Sequence, residues 1–275
     1  MNVLGKKVGF IGSGNMASAL ISGMISAGFK PNNIFASSPG KEHLDLLSSV
    51  FDIQTSADNA DVFKASEIIV FAVKPNKLKT VLEEFNKGNS AEEKLIISVA
   101  AGIKISDIEL HLSRKQRIIR AMPNTPSSIG MGVTAICRNM NTTKHDVENA
   151  EELFGCVGKV VQIQEEAMDF FTALIGSGPA YVFYLIESLL ESSKEMKVDE
   201  KMRKEMISSM IAGSAELALI SEDSPLQLRE NVTSPGGVTE RAIEEFDKNN
   251  FKEAILKAIN EAVNRSIELG DNQDV

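Results

Sequence analysis

Two glycine-rich turns carry the residues of this sequence whose types and spacing could do chemistry. The first is Gly12-Ser13-Gly14-Asn15-Met16-Ala17, directly after the apolar run Val8-Gly9-Phe10-Ile11 and directly before a helical pattern. In a GxGxxA turn the first glycine permits a tight bend and the second lets a pyrophosphate approach the backbone. The small third residue lets the helix pack on the strand, and the free N–H groups at the start of the helix then hold the phosphates. With strand, turn and helix all present, the stretch reads as a dinucleotide site. The second is Ser234-Pro235-Gly236-Gly237-Val238-Thr239, followed by Glu240 and another helical pattern. A Pro-Gly-Gly turn has no Cβ to keep a ligand off its backbone, and unpaired donors at a helix start suit a carboxylate. Taken alone, this second stretch reads first as an ordinary capped helix after a loop, and only the first glycine turn upstream makes it a partner site.

The residues that follow the second predicted strand bear on the cofactor. A site for NADH wants an Asp or Glu there to take the ribose 2′-OH. The chain offers Ser37-Ser38-Pro39-Gly40-Lys41 instead. Hydroxyls, loop backbone and one Lys are compatible with a 2′-phosphate, although no Arg is present to clamp it. NADPH is therefore the expected cofactor, with NADH also admitted.

Composition narrows the alternatives. A formal charge of −9 with no basic patch argues against nucleic acid. The basic run Arg114-Lys115-Gln116-Arg117-Ile118-Ile119-Arg120 is too short to reverse that and reads as a solvated loop. Cys137 and Cys156 lack metal or redox spacing, and two cysteines without a signal peptide point to a reducing, cytoplasmic setting. No unbroken apolar run is long enough to cross a bilayer, so no membrane partner is expected. His43, His111 and His145 form no ligand or triad pattern and read as solvent-facing helix residues, so no metal is expected either.

Positioning those turns requires two kinds of structure. Up to about Ile163, short apolar runs alternate with amphipathic ones, the signature of βαβ units and a parallel sheet. Runs such as Ile68–Val73 and Leu95–Val99 are apolar throughout, as strands covered on both faces should be. From Glu165 the period becomes helical and stays so. Val182, Phe183, Leu185, Ile186, Leu189 and Leu190 make a stripe wider than one surface helix needs, and Met202, Met206, Met210, Leu217 and Ile220 make another. The methionines read as packing residues. The expectation is an α/β fold, with a Rossmann-like dinucleotide-binding domain over 1–164 and an all-α domain over 165–275 that associates with a second copy.

The two turns together with Phe71-Ala72-Val73-Lys74-Pro75, Ser98-Val99-Ala100-Ala101-Gly102, Arg120-Ala121-Met122-Pro123-Asn124-Thr125-Pro126 and Gly176-Ser177-Gly178-Pro179-Ala180-Tyr181 resemble pyrroline-5-carboxylate reductase. The resemblance covers nearly the whole chain. It implies hydride transfer from NAD(P)H to the C5=N imine of 1-pyrroline-5-carboxylate, giving L-proline in the last step of proline biosynthesis. It also implies roles. Gly12, Ser13, Gly14, Asn15 and Met16 would hold the pyrophosphate, and Ser38 and Asn59 would meet the adenosine ribose or its phosphate. Ala72, Val73, Lys74, Pro75 and Ala101 would line the cofactor, with Asn231 beside it. Ser234, Gly236, Gly237, Val238 and Thr239 would cradle the substrate carboxylate, with Glu165 and Glu222 on the substrate side. The Thr239 hydroxyl would sit near the ring nitrogen as the catalytic group. Dimers, assembling further into decamers, complete the picture. Val238 and Ile175 stand where relatives more often carry Ala and Ser, a change of pocket volume rather than chemistry.

Two alternatives belong to other classes. A β-hydroxyacid dehydrogenase shares the layout but needs a Lys on the helix that opens its second domain. Here that helix begins Gly178-Pro179-Ala180-Tyr181-Val182-Phe183, with no Lys or Asn. A non-catalytic dinucleotide-binding relative would have no use for the second glycine turn.

Overall fold

Gly12 is able to meet a ligand because the strands beneath it end together. The computed structural model describes residues 3–89, 94–112 and 115–271. In them the strands are β1 (Val8–Ile11), β2 (Ile34–Ser37), β3 (Gln54–Ser56), β4 (Ile68–Phe71), β5 (Leu95–Ser98), β6 (Arg117–Met122), β7 (Gly132–Arg138) and β8 (Gly158–Gln162). Six helices accompany them: α1 (Asn15–Ser26), α2 (Lys41–Phe51), α3 (Asn59–Ala65), α4 (Pro75–Asn89), α5 (Ile105–Leu110) and α6 (Lys144–Gly155). The strand order is β3-β2-β1-β4-β5-β6-β7-β8, parallel as far as β6. This is the doubly wound arrangement that places ligands at the carboxyl ends of the strands.

The sequence pattern implied βαβ units and a parallel sheet, and β7 departs from that pattern by running antiparallel to β6. Residues 123–131 between them hold only a short 3-10 turn, Thr125–Ile129, and a parallel return would need a crossover of a dozen residues or more. β8 then returns parallel to β7 through α6, whose first turn is fixed by Thr143 and Asp146 capping each other.

Two apolar clusters, one containing side chains of α1 and α6 and the other side chains of α3, α4 and α5, bury the sheet. In the first, Ala17, Leu20, Ile21 and Met24 of α1 recur at helical spacing beside Phe10 and Val70. In the second, Phe63 meets Phe85 edge to face at 5.1 Å.

The basic run around residue 120 is not a solvated loop. Arg114 lies outside the described residues, but Arg117 onward is β6, and Arg120 is 3% exposed. A buried guanidinium needs partners. Arg120 Nη1 donates to Glu165 Oε1 at 3.1 Å, and its Nη2 lies 3.9 Å from Asp169 Oδ1. Glu165 also accepts from the Ile105 N–H at the start of α5 (2.7 Å), and Asp169 accepts from Ser266 Oγ (2.8 Å). His111 likewise departs from expectation: its side chain is only 13% exposed and faces Glu83.

After Glu165 the chain is helical: α7 (Met168–Phe171), a π-helical turn Thr172–Gly176, then α8 (Gly178–Ser192), α9 (Glu200–Ile220), α10 (Pro225–Asn231), α11 (Val238–Lys248) and α12 (Phe251–Asp271). Packing divides the protein into two units, residues 1–177 with 262–275, and residues 178–261. The end of α12 thus belongs with the sheet, where Leu269 and Gly270 lie beside Gly102.

Taken by itself, the unit Gly178–Glu261 buries none of its residues. Phe183, Leu185, Met206, Met210 and Ile220 are all exposed, so the methionine stripe finds no core among the described residues. By length and composition the helical run Glu165–Ser192 is also apolar enough to cross a bilayer, although its apolar residues are interrupted by polar ones. An apolar surface of this extent marks an interaction face.

Replacing Arg120 by Met keeps the bulk of the side chain and removes the charge that Glu165 and Asp169 face. Because both carboxylates retain some water contact, the expected loss of stability is ~1–3 kcal/mol, short of the cost of breaking a fully buried pair. Urea unfolding of the two proteins side by side measures it, and an unchanged midpoint would mean that the cluster contributes nothing.

Candidate active site

The carboxyl ends of β1, β2 and β4 converge on Gly12. Its N–H donates to the Ser37 carbonyl at 2.9 Å, and the Ala72 N–H donates to the Ile11 carbonyl at 2.8 Å. Gly12 has φ +104°, and a Cβ there would lie 2.5 Å from the Ala72 carbonyl oxygen. Both the dihedral and the contact demand glycine. At Gly14 a Cβ would meet nothing within 4 Å, so space lies open in front of the turn. No side chain caps α1, which leaves the N–H groups of its first turn facing that space. A wide-open second glycine beneath an uncapped helix start is what a pyrophosphate requires, so the residues present fit a dinucleotide.

Around this edge the fold gathers Gly12 to Met16, Ser38, Asn59 and Ala72 to Pro75. Ala101 sits in the turn after the adjacent strand β5. Ser37, one of the two hydroxyls offered for a 2′-phosphate, is fully buried and donates to Asn59 Oδ1 at 2.7 Å, so that hydroxyl is already engaged. Ser38 Oγ accepts from the Gly40 N–H at 3.3 Å, and Asn59 Nδ2 donates to Glu84 Oε2 at 2.9 Å. Glu84 was not singled out by the sequence, because nothing local in α4 marks a residue that meets α3.

Glu165, expected on the substrate side, has one carboxylate oxygen shared by Arg120 and the Ile105 N–H. Nearby Cys137 is no nucleophile: burial, with Glu165 adding to it, pushes its thiol up to about 12 and keeps it protonated at neutral pH.

The remaining predicted residues lie in the other unit. Asn231 closes α10, where it accepts from Gln227 and donates to Asp223 (3.3 Å), and Glu222 sits in the link between α9 and α10. Gly236 has φ +73°, and the Gly237 N–H returns to the Ser234 carbonyl at 2.9 Å, which closes a turn just before α11. Gly237 occupies the cap position of α11 and no side chain caps it, so the first turn, with Val238 and Thr239, presents free donors. One donor of the turn is in use: Gly236 N–H binds Glu240 Oε2 at 2.7 Å. The signal for Glu240 lies in the sequence as an acidic residue in the first turn of a predicted helix.

Comparison with known proteins identifies the family. Residues 165–269 match the family model for pyrroline-5-carboxylate reductase dimerisation, and residues 7–102 match that for NADP oxidoreductase, coenzyme F420-dependent. The pyrroline-5-carboxylate reductase of Methanosarcina acetivorans is 37% identical, with 96% of this chain and 98% of that protein covered. The solved structure of the Coxiella burnetii pyrroline-5-carboxylate reductase superposes with a TM-score of 0.88 at 37% identity, over 96% of this chain and 98% of that one. The Plasmodium falciparum pyrroline carboxylate reductase, solved with NADP bound, gives 0.89 at 32% identity over 98% and 99%. With an open nucleotide edge, an uncapped glycine turn and full-length likeness to these relatives, the chain belongs to the pyrroline-5-carboxylate reductase family.

Proposed function

We propose that the protein reduces 1-pyrroline-5-carboxylate to L-proline at the expense of NAD(P)H, the last step of proline biosynthesis. The observation that carries the reading is the pair of uncapped helix starts behind glycine turns, at Gly12 and at Gly237, within a chain of this family. When bound, the reduced nicotinamide supplies the hydride that C5 of the ring accepts. The work of the protein is to hold, orient and exclude. The first turn of α1 and Gly14 grip the pyrophosphate, while Ser38 and Asn59 take the adenosine end. Ala72 to Pro75 and Ala101 line the carboxyl edge of the sheet.

At the second turn the substrate carboxylate accepts from the backbone donors that open α11, a match of charge with the positive end of a helix dipole. Gly236 and Gly237 let it come close. The C=N bond becomes C–N as C5 gains hydride, so the ring nitrogen must carry a proton. A protonated imine is already electrophilic, and no strong acid is needed beside it. The Thr239 hydroxyl, on the first turn of α11, hydrogen-bonds that nitrogen or passes its proton through water. Glu222 and Val238 complete the rim. NADPH is the preferred donor and NADH an admitted one. Association through the apolar faces of α8 and α9 makes the dimer, and dimers assemble further into a decamer.

Adding 1-pyrroline-5-carboxylate to protein and NADPH consumes the 340 nm absorbance of the reduced cofactor, a generic property of the nicotinamide ring at roughly that wavelength. No consumption would leave the chain a non-catalytic binder. Thr239→Ala lowers kcat/KM by roughly 10–150-fold, the effect of one hydrogen bond to a charged group worth ~1.5–3 kcal/mol, with NADPH affinity unchanged. Wild-type kinetics in that variant would remove Thr239 from the mechanism. Gly237→Val acts on the turn itself, because a Cβ there already lies 2.8 Å from the Ser234 carbonyl oxygen. Its KM for the imine rises at least about tenfold while NADPH titration stays unchanged, since the carboxylate cradle and the nucleotide edge are separate. An unaltered KM would sink the carboxylate assignment.

A further inference from the structure

The amide of Asn59 is held from both sides. Its Oδ1 accepts from buried Ser37 Oγ at 2.7 Å, and its Nδ2 donates to Glu84 Oε2 at 2.9 Å. Of the two partners only the carboxylate is unable to donate, so Glu84 decides which way the amide faces: turned over, Asn59 would aim its own carbonyl at a negative charge. The chain Ser37–Asn59–Glu84 joins the end of β2, the start of α3 and the middle of α4.

The end of β2 is where a dinucleotide fold distinguishes a free ribose 2′-OH from a 2′-phosphate, and an acidic residue there favours the hydroxyl. The segment Ser37 to Lys41 has no acidic residue. The fold delivers one from elsewhere, since Glu84 comes from α4 and stands one side chain away from Ser37. We propose that Glu84, acting through Asn59, is a specificity-determining residue that holds down the preference for NADPH over NADH. A 2′-phosphate carries close to two negative charges and meets this carboxylate, whereas a 2′-OH does not. Lys41 is the one cation that the Ser37–Lys41 segment offers against it. Glu84 thereby makes both cofactors usable. The inference rests on the assignment of the Gly12 edge to the dinucleotide.

Isothermal titration of the full-length protein with NADP+ and with NAD+ tests it without turnover. Glu84→Gln keeps the shape and an oxygen that can accept from Asn59, removes the charge, and brings an N–H donor in its place. It tightens NADP+ by about fivefold, the size of one like-charge contact largely screened by water, and leaves NAD+ within about twofold. Raising the salt concentration narrows the difference between variant and wild type, which a purely structural role of Glu84 would not produce. If the ratio of the two dissociation constants is the same in variant and wild type, Glu84 has no part in cofactor choice. Asn59→Ala separates the two possible failures. Weakened binding of both cofactors there, with an unmoved ratio in Glu84→Gln, overturns the role of Glu84 alone. Unchanged binding of both overturns the assignment of this edge as well.

Discussion

The close approach of β4 to the turn after β1 is the constraint on which the nucleotide edge depends. The backbone of Gly12 passes so near the Ala72 carbonyl that no side chain fits between them, at a dihedral that L-residues avoid. That approach lets β1, β2 and β4 end at one level, so the Gly12 N–H can reach Ser37 and the Ala72 N–H can reach Ile11. It also swings the chain into α1 with the first turn of the helix facing open space. A helix start left uncapped elsewhere would be a flaw; here it is the feature that makes an anion site.

The helical unit obeys a different constraint. Four helices and part of a fifth, each with apolar side chains, have too few partners in one chain to bury any residue of Gly178–Glu261. Conformational entropy is lost in forming them, and burial within the unit does not offset it. Family membership supplies the physical answer, because the matching model describes dimerisation over this same region. The apolar run Glu165–Ser192, which by length and composition would also suit a membrane, falls within the residues that this dimerisation model matches.

Arg120 ties the sheet to the helical residues of its own unit. Strand β6 carries its guanidinium into the base of the helical run, where Glu165 and Asp169 receive it, and Ser266 brings in the last turns of α12. A charge buried this deeply is tolerated only because several elements converge on it, and their convergence fixes where the helical run begins. Glu165 is part of that junction, which gives it a structural task beside any role at the substrate.

How much of this was legible follows from distance along the chain. The fingerprint at Gly12, the Pro-Gly-Gly turn before α11, the helical stripes and the buried strands were readable because each arises within about a dozen residues, through glycine dihedrals, helix ends and side-chain periodicity. Those local rules also carried the separation of sheet from helices. The reversal of β7, the burial of Arg120, the engagement of Ser37 and the arrival of Glu84 beside Asn59 were not readable. Each is a contact between residues 13 or more apart in the chain, up to 45 for Arg120 with Glu165. A side chain's type states what it can bond. Only the packing of strands and helices decides which partner it meets, because many pairings satisfy the same local pattern and the tertiary fold selects one of them.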